Sequence, residues 1–380
     1  MRRVLPGGRI GILGGGQLGR MMALAARSMG YRVEALDPDA SCSARGVVDH
    51  CYTTAFSDVG AAETMARESD VVTLEIEKIP LATLNAVARV APLRPGAGVL
   101  EIIQHRGRQR AWLARAGAPL GAWLEAHDPL ALEGAVRQLG GRCFVKSCEG
   151  GYDGRGQVET ASAGEARAAW DQLGGRAVVA EAALPLAAEV SVLVARSPSG
   201  EIAVYPPALN HHEARVLAWS TFPGSMEVRL VREAEAAARA IAEQLELEGV
   251  LAVEMFVLED GSLRVNELAP RPHNSFHATE EGCVTSQFEQ AIRAVCNLPL
   301  GSVEVVRPAA IMNLLGERWA RGAPHFERAL ELPGVKVHLY GKSEARPGRK
   351  MGHLSAVRRT SEEALALAKE ASKRLADEAA

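Results

Sequence analysis

The sequence VLAVEMFVLEDGSLRVNEL, residues 250–268, predicts two strands joined by a tight turn. Asp260-Gly261 is a common choice for a two-residue hairpin turn, because both central residues need positive φ there. Counting outward from this turn, Glu254 lies opposite Glu267 on one face of the hairpin. The same register places Phe256 opposite Val265 and Leu258 opposite Leu263.

Two glutamates that face each other in an apolar hairpin repel, so this pair needs a counter-charge. A divalent cation supplies it, and an all-oxygen ligand set favours Mg²⁺. Asn266, beside Glu267, adds an oxygen ligand or a phosphate contact. The alternative is that an arginine, Arg264 or Arg271, neutralises one of the glutamates. The hairpin therefore predicts a magnesium site at Glu254 and Glu267.

From its beginning to about residue 100, the chain alternates strands and helices, which predicts a doubly wound, Rossmann-like parallel sheet. Beyond that point mixed strands and helices follow, so the fold class is α/β and α+β. We expect four domains, at residues 1–105, 106–185, 186–305 and 306–380. The last one is small and contains a Pro/Gly turn at 346–350 and a closing amphipathic helix.

Composition excludes several classes of protein. The 380 residues include 43 Lys plus Arg and 46 Asp plus Glu, a net charge of −3 without a clustered basic excess, which argues against nucleic-acid binding. No apolar run approaches the ~20 residues that span a bilayer, and the first residues lack a signal-peptide core. We expect a cytoplasmic protein with no membrane partner. Its six cysteines lack metal-site spacing and are expected to be reduced thiols.

A glycine turn, Gly14-x-Gly16-x-x-Gly19, follows the first predicted strand and resembles a dinucleotide-binding fingerprint. Asp37 ends the next strand, where such a site places its ribose-binding carboxylate. This pattern favours a nicotinamide-dependent dehydrogenase. The alternative is that the glycines allow close packing and open a helix N-terminus to a different anion.

A second glycine-rich segment, GGYDGRGQ at 150–157, follows the strand that contains Lys146. Such a loop lets backbone N–H groups approach a polyphosphate, and a nearby lysine supplies positive charge. It is not a Walker loop, because no Gly-Lys-Ser/Thr follows. We interpret it as a lid over nucleotide phosphates; the alternative is a mobile hairpin loop without a chemical role.

These features together resemble the ATP-grasp superfamily and, within it, the 5-(carboxyamino)imidazole ribonucleotide synthases of purine biosynthesis. The resemblance extends along nearly the whole chain and is carried by GGGQLGRMM (14–22), LEIE (74–77), GGYDGRGQ (150–157), NELAPRPHNS (266–275), VTSQFEQ (284–290) and RPGRKMGH (346–353). It implies an ATP-grasp fold and an ATP- and Mg²⁺-dependent ligase. Its substrates would be 5-aminoimidazole ribonucleotide and bicarbonate, joined through carboxyphosphate.

The resemblance also implies roles for individual residues. ATP would be bound by Arg106, Lys146, Gly151, Tyr152, Asp153, Gly154, Arg155, Gly156, Gln157, Glu181, Ala182, Ala183, Leu184, Glu189, His212 and Asn266. Within that set, residues 181–184 would read adenine through their backbone. The ribonucleotide would be bound by Gln17, Leu18, Glu75, Asn274, Lys342, Arg349 and Lys350, at the helix N-terminus of the Gly14 turn. Arg271 and His273, with Tyr152 and Arg155 of the lid, would act on bicarbonate and carboxyphosphate.

Several of these side chains have simpler interpretations. Arg349 and Lys350 are alternatively solvated surface charges, and His273 a structural histidine. Of the basic residues at 106, 108 and 110, only Arg106 is assigned to the site; the others are interpreted as a charged helix face. The family implies a homodimer, although nothing in the sequence locates an interface.

The sequence departs from the family pattern at two places. Ser147-Cys148-Glu149 is less basic than the usual segment before the lid, and Phe276 replaces a glycine close to the expected anion site. The nearest rival function is a sister ligase similar to formate-dependent glycinamide ribonucleotide transformylase. A catalytically idle scaffold is the rival from another class.

Overall fold

The structure, a computed structural model, describes residues 2–150 and 156–376. The first sheet is parallel, with strand order β3-β2-β1-β4, as expected for the doubly wound N-terminal region. Its strands are β1 (Arg9–Leu13), β2 (Arg32–Asp37), β3 (His50–Thr53) and β4 (Val71–Leu74). Its helices are α1 (Gln17–Ser28), α2 (Val59–Arg67), α3 (Leu81–Val90) and α4 (Ala97–Ile103). The glycine turn joins β1 to α1.

The second sheet is a small antiparallel one with strand order β5-β8-β6-β7. Its strands are β5 (Trp123–Ala126), β6 (Cys143–Ser147), β7 (Gln157–Thr160) and β8 (Val178–Ala182). The helices α5 (Arg106–Arg115), α6 (Pro129–Gln138) and α7 (Ala166–Gln172) belong to this part of the chain. Lys146 lies near the end of β6, opposite Gln157 at the start of β7.

The third sheet has the strand order β14-β13-β9-β11-β12-β15-β17-β16, with β10 paired to β9. Its strands are β9 (Leu186–Arg196), β10 (Ile202–Val204), β11 (Ala208–Glu213), β12 (Val216–Phe222), β13 (Gly249–Leu258), β14 (Leu263–Ala269), β15 (Ala309–Leu315), β16 (Val335–Leu339) and β17 (Lys350–Val357). The accompanying helices are α8 (Val228–Gln244), α9 (Thr279–Gly282), α10 (Gln287–Val295), α11 (Phe326–Leu330) and α12 (Ser361–Arg374). The C-terminal strands β15–β17 therefore extend this third sheet, which we call the central sheet. The four domain boundaries stay a prediction.

The hairpin β13–β14 confirms one expected pair and corrects the others. Glu254 is paired with Glu267, but Met255 faces Val265 and Val257 faces Leu263. The turn has three residues between Leu258 and Ser262, with Gly261 at φ +74°, and so shifts the register by one. A β-bulge at Asn266 shifts it back. The two glutamates consequently face each other, although the pairs nearer the turn were wrong.

A shared apolar core holds the N-terminal sheet against the central sheet. Leu13, Leu36 and Leu74 belong to the same buried cluster as Val192 and Val253 of the central sheet. Each such side chain contributes about 1.5–3 kcal/mol when it is removed from water. The end of β1, where the glycine turn begins, is thereby fixed relative to the hairpin that contains Glu254.

None of the helices in the described part of the chain is long and apolar enough to cross a membrane.

Candidate active site

The paired glutamates of the central sheet each have a basic partner from a different element. Nε2 of His273 lies 2.9 Å from a carboxylate oxygen of Glu254. A guanidinium nitrogen of Arg106 on α5 lies 3.3 Å from Glu267. Burial by itself would raise the pKa of Glu254, but His273, assisted by His212 and Arg271, lowers it to about 2. Glu254 is therefore a carboxylate at neutral pH.

The two arginines considered as neutralising partners make other bonds. Arg264 donates to the carbonyl oxygen of Leu263, at 2.7 Å. Arg271 forms an ion pair with Glu77 at 2.8 Å. Burial lowers the pKa of Arg271, and the carboxylates of Glu77, Glu75 and Glu254 outweigh this and raise it. Arg271 thus stays charged, stabilised by three nearby carboxylates.

Magnesium fits the donor set that the hairpin presents. Glu254 and Glu267 offer carboxylate oxygens. The amide oxygen of Asn266, the residue at the bulge, lies 3.4 Å from Nζ of Lys146. Oxygen ligands of this kind suit Mg²⁺, which usually takes one or two carboxylates together with substrate phosphates and water. His273 contacts Glu254, and Arg106 contacts Glu267. A cation that bound these carboxylates would displace or rearrange both partners.

Lys146 lies in a buried ion-pair triad. Its ammonium group and the guanidinium group of Arg110 both bind Glu181, at 2.5 and 2.7 Å. Burial raises the pKa of Glu181, but Lys146, Arg110 and Arg106 lower it to about 2. We name Lys146, Glu181, Glu254 and Glu267 the carboxylate cluster.

Arg110 was missed in the sequence and does not lie on a charged surface face. Its side chain is almost fully buried, and it also donates to the carbonyl oxygen of Val265 at 2.9 Å. It therefore ties α5 and β8 to the hairpin. Its signal was the spacing of four residues from Arg106, which places both guanidinium groups on one side of α5.

Two backbone donors of residues 181–184, the segment predicted to read adenine, are already engaged. The N–H of Ala182 donates to Ala122 at 2.9 Å, and the N–H of Ala183 donates to Arg142 at 3.0 Å. Both donors are engaged within the protein, so only the carbonyl oxygens of these two residues are left to contact a base. In the third sheet, Glu189 of β9 and His212 of β11 form a pair at 2.9 Å.

The glycine turn is filled by the protein's own carboxylates. Oε1 of Glu75 accepts the N–H of Gly16 at 2.9 Å, and Oε2 accepts those of Leu18 and Gly19 at 3.2 and 3.1 Å. Asp37 accepts the N–H of Gly15 at 2.7 Å. The helix N-terminus that was expected to hold the ribonucleotide thus binds Glu75, and the expected ribose ligand of a dinucleotide is also engaged.

The glycines are required because Glu75 lies so close. A Cβ atom at Gly14 or Gly16 would lie 2.5 or 2.6 Å from the Glu75 side chain, and one at Gly19 would lie 2.5 Å from the carbonyl oxygen of Gly14. The fingerprint therefore reflects close packing around a buried glutamate, which was the alternative interpretation. Burial raises the pKa of Glu75, and the N–H groups of Gly19 and Gly16 and the charge of Arg271 oppose this rise.

Beside this turn, side chains from two parts of the chain meet. The amides of Gln17 and Asn274 lie 2.7 Å apart, and both contact Nε2 of His277, at 2.6 and 3.0 Å. Gln287 of α10 lies 3.0 Å from Nδ1 of the same ring. We name Gln17, Asn274, His277 and Gln287 the amide cluster. It brings together two of the residues predicted to bind the ribonucleotide.

Two of the cationic residues predicted to bind the 5′-phosphate, Lys342 and Arg349, donate to backbone carbonyl oxygens of their own region. Lys342 donates to the carbonyl oxygen of Lys350 at 2.6 Å, so these two segments lie together. Arg349 donates to the carbonyl oxygen of Glu344 at 2.9 Å. Hydrogen bonds from Ser41 lower the pKa of Asp39, which follows β2, and the charge of Arg349 lowers it further.

Comparison with known proteins identifies the family. Residues 8–104 match the ribonucleotide synthetase preATP-grasp domain, 111–288 the ATP-grasp domain, and 309–367 the phosphoribosylaminoimidazole carboxylase C-terminal domain. The N5-carboxyaminoimidazole ribonucleotide synthase of Brucella melitensis is 40% identical over 355 residues, 93% of this chain and 97% of the relative. This chain belongs to the N5-carboxyaminoimidazole ribonucleotide synthase family. It is thus a member of a family of ATP-grasp ligases, as the sequence resemblance indicated.

Solved structures of N5-carboxyaminoimidazole ribonucleotide synthetases have the same fold. An ADP complex superimposes with a TM-score of 0.92 at 40% identity, over 98% of each chain. The enzyme of Aspergillus clavatus in complex with ADP and 5-aminoimidazole ribonucleotide superimposes with a TM-score of 0.88 at 31% identity, over 97% of this chain and 98% of that one. The predicted fold class is confirmed.

The departures from the family's pattern are structural features. Phe276 is fully buried and packs against Tyr205 and Phe222, with ring centroids 6.3 and 5.9 Å away, so its ring is part of the core. Cys148 is buried 3.8 Å from Glu125, and burial raises the pKa of its thiol to about 11. This cysteine is therefore not a reactive thiolate.

At the two ends of the predicted lid, backbone carbonyl oxygens accept hydrogen bonds. The N–H of Ser147 donates to the carbonyl oxygen of Gly156 at 2.9 Å, and Lys78 donates to that of Gly150 at 3.4 Å. The remaining lid residues predicted to bind ATP or to act in catalysis lie outside the described residues: Gly151, Tyr152, Asp153, Gly154 and Arg155.

Proposed function

We propose that this chain catalyses the ATP-dependent carboxylation of 5-aminoimidazole ribonucleotide by bicarbonate, giving N5-carboxyaminoimidazole ribonucleotide, ADP and phosphate in purine biosynthesis. Family membership over the whole chain supports the reaction. One observation in the structure carries the proposal: two consecutive residues face the two clusters, since His273 binds Glu254 and Asn274 contacts Gln17. A phosphorylated intermediate formed at the first cluster would thus have the amine substrate beside it at the second.

The chemistry explains why two substrates must meet here. Bicarbonate is a poor electrophile, so its oxygen first takes the γ-phosphoryl group of ATP, giving carboxyphosphate and ADP. The exocyclic amine of the ribonucleotide then attacks the carboxyl carbon, or carbon dioxide released from it, and phosphate leaves. Water would hydrolyse carboxyphosphate, which gives the lid segment 150–157 its proposed function of excluding solvent.

In this proposal the carboxylate cluster binds ATP. Lys146 contacts its phosphates, together with Arg106, and both residues can exchange a glutamate partner for a phosphate oxygen. Glu254 and Glu267, with Asn266, would hold Mg²⁺, which when bound offsets the charge on the transferring phosphoryl group. Glu189 and His212 lie at the position proposed for the ribose and the adjoining nucleotide.

Arg271 is proposed to hold bicarbonate and carboxyphosphate. Its guanidinium group is partly buried and paired with Glu77, and the carboxylates of Glu75, beside the amide cluster, and Glu254, in the carboxylate cluster, are close enough to help raise its pKa. A cation between two substrates is well placed to bind the anion that passes from one to the other. His273 keeps Glu254 ionised and orients it.

The amide cluster is proposed to bind the ribonucleotide base through Gln17 and Asn274. Lys342, Arg349 and Lys350 are proposed for its 5′-phosphate, and the charge of Arg349 already acts on Asp39 of the N-terminal region. Glu75 contributes by holding the glycine turn and α1 in place, and Leu18 through the backbone N–H that it donates to Glu75. A homodimer and a cytoplasmic location are further proposals that rest on the family resemblance, and light scattering of the purified chain tests the first.

A coupled assay of ADP release tests the function. ADP release should accelerate strongly when 5-aminoimidazole ribonucleotide and bicarbonate are both present, and only weakly with either one alone. Stimulation by glycinamide ribonucleotide and formate instead would identify the sister ligase. Nucleotide binding without any turnover would indicate an idle scaffold, and binding of reduced nicotinamide cofactor without ATPase activity would indicate a dehydrogenase.

A further inference from the structure

Gln287, the first residue of α10, holds the backbone of His273 through two hydrogen bonds. Its side-chain oxygen accepts the N–H of His273 at 2.8 Å, and its Nε2 donates to the carbonyl oxygen of His273 at 2.9 Å. The side chain is fully buried. Because both ends of the amide are engaged with the same backbone, turning it over would lose both bonds. The orientation of the Gln287 amide is therefore fixed.

The second proton of the Gln287 amide is directed at His277, whose Nδ1 lies 3.0 Å from Nε2 of Gln287. An NH₂ group can only donate, so Nδ1 must accept and carries no proton. Burial holds the pKa of His277 well below its usual range, so the ring is neutral. Its single proton must then lie on Nε2.

The proton on Nε2 determines how the neighbouring amides are oriented. Nε2 of His277 lies 2.6 Å from the terminal amide of Gln17 and 3.0 Å from that of Asn274. As placed, Nε2 of Gln17 lies 2.6 Å from Nε2 of His277 and donates to Oδ1 of Asn274 at 2.7 Å. Two donors repel at 2.6 Å, and amide oxygens and nitrogens are assigned from the hydrogen-bond network, so both amides are turned over. The Gln17 oxygen then accepts from Nε2–H of His277 and from the NH₂ group of Asn274, and these two donors, 3.0 Å apart, are both directed at that oxygen. The Gln17 NH₂ group and the Asn274 oxygen then face away from His277.

We propose that Gln287 is a positioning residue for the amine substrate: it fixes the Nε2–H tautomer of His277 and thereby makes Gln17 a hydrogen-bond donor and Asn274 an acceptor. The same side chain holds the backbone of His273, which binds Glu254. This inference rests on the proposed function, because it takes Gln17 and Asn274 as ligands of the ribonucleotide. A ligand that offers one acceptor and one donor side by side, such as an aminoimidazole, fits this pair.

The chain contains a matched control for this residue. Gln290, three residues farther along α10 and also fully buried, holds Gly301 in the same way: its oxygen accepts the N–H at 2.8 Å and its Nε2 donates to the carbonyl oxygen at 2.9 Å. These two bonds of Gln290 are made to a loop residue that belongs to neither cluster. Gln287→Glu and Gln290→Glu each replace the same kind of NH₂ donor with a carboxylate oxygen, so a purely structural effect should be similar in the two variants.

The experiment compares steady-state kinetics of wild type, Gln287→Glu and Gln290→Glu from pH 6 to 9. For Gln287→Glu we expect the KM for 5-aminoimidazole ribonucleotide to rise about tenfold at pH 8, the loss expected for about one hydrogen bond in a buried site. The KM for ATP should change less than about twofold, because the new carboxylate still accepts the N–H of His273. Gln290→Glu should leave both KM values near those of wild type.

The pH profile gives a signature that a structural role would not produce. A carboxylate beside Nδ1 favours a proton there, so neutral His277 in Gln287→Glu would lose the proton on Nε2, whereas the imidazolium form keeps both. The kcat/KM for the ribonucleotide should therefore fall with rising pH in this variant relative to wild type. Among the described residues, the other titratable groups with an electrostatic or ring contact with His277 are His273, His338, Tyr340, Lys350 and His353, and they are present in all three proteins.

Each outcome is decisive. Equal KM values for the ribonucleotide in Gln287→Glu and Gln290→Glu, or parallel pH profiles, would overturn the inference. A ¹⁵N spectrum of histidine-labelled wild type reads the tautomer without any substitution, and a proton on Nδ1 of His277 would also overturn it. If ribonucleotide and bicarbonate fail to stimulate wild type, the proposed function is wrong, and the spectrum still decides the tautomer.

Discussion

Four partly buried glutamates lie in the carboxylate cluster or beside the amide cluster, and their pKa values move in opposite directions. In the carboxylate cluster, burial is outweighed by cations, and the pKa values of Glu181 and Glu254 fall to about 2. Near the amide cluster, burial dominates: it raises the pKa of Glu75, and it raises that of Glu280 to about 7. The same side chain is thus kept charged where ATP is proposed to bind and pushed toward the neutral form where the ribonucleotide base is proposed to bind.

This difference fits the two ligands. A polyphosphate with its cation requires fixed charges, and ion pairs that are already in place can be exchanged for phosphate and metal contacts. A heterocyclic base with an amine requires oriented donors and acceptors, which neutral amides and imidazoles provide. The predictions below test this contrast, from the largest expected effect to the smallest.

The largest effect is expected on catalysis, from Glu267→Gln. Loss of one carboxylate from the proposed magnesium site should lower Mg²⁺-dependent ADP production by about 10³-fold, about 4 kcal/mol in activation free energy. The control is Glu259→Gln, an exposed glutamate in the turn of the same hairpin. Full activity of Glu267→Gln, with the control also active, would contradict the metal assignment.

A loss of stability of about 3 kcal/mol is expected for Glu181→Gln at pH 7, because it leaves Lys146 and Arg110 buried without their carboxylate. In wild type the low pKa of Glu181 contributes stability that is complete above pH 4.5 and declines as the pH falls toward 2. The difference between the two proteins, measured by denaturant unfolding, should therefore shrink below pH 4.5.

The exposed pair of Asp171 and Arg167 provides the control for that variant. Asp171→Asn should change the unfolding free energy by less than about 0.5 kcal/mol. A loss in Glu181→Gln as small as that in Asp171→Asn would mean that the buried triad contributes little to folding.

A third effect, of about 2 kcal/mol, is expected for Gly16→Ala, because the new Cβ would lie 2.6 Å from Oε1 of Glu75. Gly98→Ala is the control, since no atom lies within 4 Å of its added Cβ and it is inside helix α4, where alanine is favoured. Thermal unfolding should place Gly16→Ala below wild type and Gly98→Ala at or above it. Equal melting temperatures for Gly16→Ala and wild type would show that the turn tolerates a side chain.

The smallest effect, of about 1 kcal/mol, is expected for Glu280→Gln, and it is a gain in stability. One carboxyl oxygen of Glu280 is buried without a hydrogen-bond partner, and its raised pKa means that its contribution is complete below pH 4.5 and is lost as the pH rises toward 7. The variant should therefore be more stable than wild type at pH 8 and similar to it at pH 5. Urea unfolding at the two pH values measures this, and a destabilised variant at pH 8 would show that the charged form has a favourable partner.

The sequence was sufficient to predict features that depend on local pattern. The parallel N-terminal sheet followed from alternating strands and helices, and the pairing of Glu254 with Glu267 followed from strand alternation around a turn. The three-residue turn and the bulge at Asn266 were missed. The glutamate pair was nevertheless predicted correctly, because the two register shifts have opposite sense and cancel there.

Features that depend on distant residues were not predictable in the same way. Glu75 occupies the glycine turn from nearly sixty residues away, so the turn was assigned to the ribonucleotide. Arg110 and Gln287 act through long-range contacts that composition does not indicate. Phe276 was placed near the expected anion site from its position directly after Asn274-Ser275 of the family motif, whereas its ring packs in an aromatic cluster. The roles assigned to the other site residues stay predictions.

The transfer of an oxygen atom from bicarbonate tests the central claim most directly. If ATP phosphorylates bicarbonate, the phosphate released with ADP must contain one oxygen from the bicarbonate. With ¹⁸O-labelled bicarbonate and 5-aminoimidazole ribonucleotide, mass spectrometry of the phosphate at early times should find one ¹⁸O atom in each molecule. Phosphate without the label, at a normal rate of ADP release, would mean that ATP is cleaved by water and would contradict this account.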